Sequence, residues 1–133
     1  MLNRRLIRIK VFKSLFSAVS SGADSAIGVE KSFLTSCDKT KDLYFFMMNV
    51  SVALKRAADA KIEAGLKKFH PTPEEKNPNM KFSENLFVER ILNEEKFISY
   101  VEREGLLWNN DELLLYVKRL YQRIAERDYF KAY

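Results

Sequence analysis

The run LYFFMMNVSVAL, from Leu43 to Leu54, is apolar at nearly every position and decides the fold. It falls about a third short of the length that spans a bilayer, and Asn49 and Ser51 interrupt it. A helix apolar on almost every side belongs inside a protein core. The run therefore reads as the first half of a buried central helix from about Lys39 to Phe69. Its second half turns amphipathic, with Ala57, Ile62 and Leu66 inward and Lys55, Arg56, Lys61 and Lys67 outward, and Gly65 is a candidate break.

Working outward, the same punctuation recurs. Asn3 can cap a first helix that runs to about Ser20, where Ser21-Gly22 stops it. A second segment, about Ile27 to Cys37, carries Val29, Phe33 and Leu34 at helical spacing. His70 to Lys81 holds the His-Pro, Thr-Pro and Asn-Pro pairs of a loop. Three shorter helices follow. One starts at Ser83 and reaches about Leu92. Another starts at Asn93, with Glu94 and Glu95 in its first turn, and ends at Gly105. The last starts at Asn110 and runs through Leu113, Val117, Leu120 and Ile124. The expected class is all-α, a compact bundle of about six to seven helices.

The totals agree. With 133 residues, 47% of them hydrophobic, the chain can bury a core as one domain without a disulfide or metal. Only 4 glycines and 3 prolines are present, which favours helices over many short strands. The single Cys37 excludes an internal disulfide and suits a reducing compartment. The start alternates apolar and basic residues, unlike a secretory signal. These features place the chain in the cytoplasm, with no membrane partner expected. The aromatic end, Tyr129, Phe130 and Tyr133, either packs back on the bundle or marks the N-terminal part of a longer chain.

The net charge of +5 has a location. Up to Ser20 the chain carries Arg4, Arg5, Arg8, Lys10 and Lys13 and no acid, while basic and acidic residues cancel from Ser21 onward. A neutral body with one basic end points to a polyanionic partner. On a wheel of about 100° per residue, Val11, Phe12, Leu15, Phe16 and Val19 form one apolar arc, and Lys10, Lys13, Ser14 and Ser17 lie opposite. Arg4, Arg5 and Arg8 fall inside the apolar arc. Three guanidinium groups cannot enter a dry core unpaired, so the expected geometry has this end projecting beyond the core. Cations in a first turn also oppose the helix dipole, so stability does not account for them. Arginine, with its planar fork, favours phosphate recognition and stacking. Lys10 and Lys13 read as ordinary solvated charges that add weaker attraction.

Catalysis finds no such support. His70 precedes proline in a polar loop, and Cys37 has no histidine to activate it. Glu74-Glu75 and Glu94-Glu95 read as loop and first-turn charge. No glycine-rich turn could cradle phosphates. No enzyme activity, metal or cofactor is expected.

The run Asn3-Arg4-Arg5-Leu6-Ile7-Arg8, continuing through Val11 to Leu15-Phe16, resembles the opening of NusB transcription antitermination factors. The similarity continues around Glu30, Phe33 and Leu34 and in Asp42-Leu43-Tyr44-Phe45. The opening also looks like the N-terminal portion of enlarged NusB-like proteins. The resemblance covers Met1 to Phe69. It implies a helical bundle that binds the box A element of ribosomal RNA leader transcripts with a small-subunit ribosomal protein. Antitermination or ribosomal RNA maturation would be its role, and the arginine-rich start carries over to Arg4, Arg5 and Arg8. The family's late phenylalanine-asparagine-glycine helix has no counterpart after Leu86.

The leading expectation is thus single-stranded RNA binding through Arg4, Arg5 and Arg8, supplemented by Lys10 and Lys13, within an antitermination complex. The alternative is a helical adaptor without RNA binding. It would dock an acidic protein or a second domain through the first helix and the face near Lys55, Arg56, Lys61, Lys67 and Lys68. Duplex DNA binding is weaker, because no short helix pair has a basic second member.

Overall fold

The computed structural model describes residues 3–22 and 25–133; Met1, where the alternating start begins, lies outside them. The elements are α1 (Arg4–Ser21), α2 (Ala26–Leu66), α3 (Pro73–Lys76), α4 (Leu86–Leu92), α5 (Glu95–Arg103), α6 (Asp111–Ala125) and α7 (Asp128–Ala132). Among the described residues there are seven helices and no strand, so the all-α class holds.

The caps explain most boundaries. Asn3 Oδ1 accepts from the Leu6 N–H at 2.8 Å, and Asn110 Oδ1 accepts from the Leu113 N–H at 2.7 Å. Each satisfies an amide that a helix start would otherwise leave without a partner. Gly22, at φ +66°, closes α1 by donating to the Ala18 and Val19 carbonyls. A side chain is disfavoured in that left-handed conformation.

Four expectations are corrected. The segments Ile27–Cys37 and Lys39–Phe69 are one continuous helix, α2. Neither glycine nor proline lies between them, and Thr40 turns its hydroxyl back onto the Ser36 carbonyl at 3.1 Å, so its polar group is satisfied within the helix. The His70–Lys81 connection contains the one-turn α3, opened by a capping box in which Thr72 and Glu75 bond each other's backbone amides. Lys68 and the Thr72 amide hold the Glu75 carboxyl below its ordinary pKa. Further on, Asn85, not Ser83, caps α4, while Ser83 is buried. Asn93 closes α4 and does not open α5, which starts from Glu94.

The chain divides into two compact units, Met1–Tyr44 and Phe45–Tyr133. The second has the hydrophobic core. Val52, Val88, Ile91, Phe97 and Val101 are buried together, with Phe45, Met48, Leu92 and Leu107 packed around them. The Phe45 ring stacks on Phe97 at 5.5 Å. Polar groups of α2 are used as well: buried Asn49 donates to the Leu106 carbonyl at 3.1 Å. Trp108 Nε1 donates to the Phe46 carbonyl at 2.9 Å while its ring stacks on the Phe46 ring. Of the aromatic end, Phe130 packs against Phe82 and Tyr121 and the Tyr133 carbonyl accepts from Lys81, while Tyr129 is exposed.

The apolar run of α2 is therefore buried unevenly. Val52 and Ala53 are inside, but Leu43 and Met47 are each 57% exposed. In the first unit α1 buries no residue at all.

Candidate nucleic-acid interface

The half-buried positions of α1 are Leu6, Lys10, Ser14 and Ala18, spaced four apart. On α2 of the same unit they are Val29, Phe33, Ser36, Cys37 and Thr40. The Lys10 ammonium joins the two rows, donating to the Ser36 carbonyl at 2.6 Å and to Ser36 Oγ at 2.7 Å. Rows spaced by four residues are the ridges on which helices pack, and Ser14 and Ala18 are small enough to let another helix come close.

This inverts the expected orientation of α1. The arc opposite the half-buried row contains Val11, Phe12, Leu15, Phe16 and Val19, and all five are exposed, Phe12 at 68% and Val19 at 82%. The stripe does not pass from core-facing to partner-facing part-way along the helix; its whole length faces outward. Lys10 is likewise corrected. It is a half-buried hydrogen-bonding group, not a solvated charge, whereas Lys13 is exposed. Since charge-assisted bonds contribute about 1.5–3 kcal/mol when well shielded and this pair is only partly covered, Lys10→Met should cost the fold about 1 kcal/mol. A thermal melt followed by circular dichroism measures this, and an unchanged midpoint would show that the Ser36 link is dispensable.

Arg4, Arg5 and Arg8 are all exposed. They form no ion pair or hydrogen bond with any described residue. α1 has no acid in its first turn to offset the dipole. Three unpaired guanidinium groups thus lie on one open face of one helix, within two turns of each other.

The lysines of the later α2 face are differently placed. Lys55 is bonded to Asp59 at 2.7 Å, Lys67 to Glu63, Lys68 to Glu75, and Lys61 lies over the Tyr121 ring at 5.6 Å. Lys67 holds the Glu63 carboxyl below its ordinary pKa. Three of these lysines are paired with carboxylates, and only exposed Arg56 and Lys61, which lies against a ring, are outside such pairs, so this face offers an acidic partner a weaker field than α1 does. A cavity of about 680 Å³ beside it is lined by Lys61 and Lys131 but also by Glu74 and Glu75, so it too lacks one sign of charge. The buried Tyr121 opens onto it, its phenol pKa raised by burial and by the Asp59 charge.

No family model, curated protein or solved structure matches this chain. Among the described residues no group of histidine, cysteine, aspartate or glutamate could hold a metal ion. None of their helices is long and apolar enough to cross a membrane.

What the sequence missed is the exposed stripe. A helical wheel separates two arcs but does not say which is covered. The signal was present: three arginines inside the apolar arc are easier to reconcile with an exposed arc than with a buried one.

Proposed function

We propose that this protein binds single-stranded RNA through Arg4, Arg5 and Arg8, with Lys13 adding diffuse attraction. The observation that carries this reading is that all three guanidinium groups are exposed and unpaired among the described residues, on a helix whose dipole they oppose. Guanidinium forks recognise phosphate in two-point contacts and stack on unpaired bases. The resemblance of Asn3 to Phe16 to the NusB opening supports the finer reading. On it, the RNA is a box A-like element of a ribosomal RNA leader, and the protein acts in antitermination with a small-subunit ribosomal protein.

The test is the salt dependence of binding to a labelled single-stranded RNA carrying that element. Three phosphate contacts on a single strand should give a log–log slope of about −2. Absence of salt-sensitive binding at micromolar protein would end the proposal. Tight binding to duplex DNA with no preference for the single strand would redirect it.

A further inference from the structure

We infer that the outward stripe of α1 is a docking site for an amphipathic helix of another protein, one whose apolar face ends in a cluster of carboxylates. Val11, Phe12, Leu15, Phe16 and Val19 form a continuous ridge, and the Phe12 and Phe16 rings lie stacked at 6.1 Å within it. Aromatic anchors held in place before binding lose little entropy when a partner covers them. Arg4, Arg5 and Arg8 prolong the same arc, so a partner must present apolar side chains along most of its length and acids at one end. From Arg4 to Val19 the stripe is about 24 Å long, the span of a helix of about sixteen residues.

Other occupants fit less well. Bases stack on aromatic rings, but Val11, Leu15 and Val19 offer RNA neither a ring face nor a hydrogen bond. A helix lying in a lipid surface keeps its basic residues on the polar face; here the arginines are within the apolar arc, and the opposite row is half covered. A second copy would bring an identical α1, which carries no acid to meet the arginines. A symmetric pairing through α1 therefore leaves the arginines unmatched, and we assign the carboxylates to a different protein.

The arginines cannot hold RNA phosphates and partner carboxylates at once, so the docked helix would exclude RNA. This exclusion, unlike the docking, rests on the RNA reading.

The probe is a synthetic eighteen-residue helix with a leucine stripe and three glutamates in one terminal turn, labelled for anisotropy and titrated with the intact protein. Binding in the micromolar range is expected. It should weaken roughly tenfold or more in Phe12→Ser/Phe16→Ser, and also when the peptide's glutamates become lysines. Circular dichroism of the variant should be unchanged, since both rings are exposed; Leu15→Lys provides a second disruption should that variant misfold. Several results would overturn the inference: no binding, equal binding of the lysine peptide, or full binding by both variants. So would a stoichiometric dimer at low salt, or partition into anionic vesicles that depends on Phe12 and Phe16. Binding of the peptide without competition by RNA would leave the docking intact and remove only the RNA reading.

Discussion

Phe97→Ala is expected to destabilise the second unit by about 3–5 kcal/mol, the usual cost of emptying an aromatic site in a core. Phe97 is 7% exposed and stacks on Phe45, within the cluster of Val52, Val88, Ile91 and Val101. The loss combines the transfer of the ring to a protein interior with the cavity left behind, which Phe45 cannot fill without giving up its contact with Tyr100 at 4.5 Å. Against a typical total of about 5–15 kcal/mol, this leaves a barely folded unit. Urea melts should show a lower midpoint, with Phe97→Leu intermediate. The internal comparison is Phe12→Ala: a phenylalanine 68% exposed should change stability by less than about 0.5 kcal/mol. Equal losses at the two positions would mean that Phe12 is covered in the folded protein and that the stripe of α1 does not face outward.

The second large effect concerns the proposed RNA contacts. Replacing Arg4, Arg5 and Arg8 together by alanine should reduce affinity for single-stranded RNA on the order of 10²-fold, taking about 1 kcal/mol for each solvent-exposed phosphate contact. The log–log salt slope should fall toward zero in the same variant, because the released counterions are counted by those contacts. Stability should stay the same or rise slightly, since three cations are removed from the positive end of a helix. Lys13→Ala should weaken binding less than about threefold. Lys10→Met acts on the Ser36 link, so it should lower the melting temperature without flattening the salt slope. If the triple variant melts early and keeps its slope, the arginines serve the fold and the RNA proposal fails.

How much of this was legible beforehand depended on the kind of signal. Helix ends written in local chemistry were readable: Asn3, Gly22, Asn110 and Gly105 act within a few residues of themselves, and each stands at a helix end. Boundaries inferred from a change of pattern were not. The supposed gap at Asp38 has no residue that breaks a helix, so α2 passes through it. α3 and α7 were missed because helices of one turn have too few positions to show a period. Of the candidate contact residues, Arg4, Arg5, Arg8 and Lys13 lie exposed as expected, while Lys10 lies half-buried against Ser36. That difference is tertiary. A lysine stem covered by a neighbouring helix looks the same in sequence as one in water.

The position of the three arginines within the outward stripe also governs how the protein behaves as a colloid. At low ionic strength the guanidinium charges repel between molecules and keep one Phe12–Phe16 ridge away from the next, as flanking charges do for adhesive segments. Raising salt shortens the range of that repulsion to a few ångströms near molar concentration and leaves the apolar attraction in force. Concentrated salt, the usual means of stripping nucleic acid from a basic protein, should therefore drive this one toward clustering. The same ridge that invites a partner sets the limit on how the free protein can be handled.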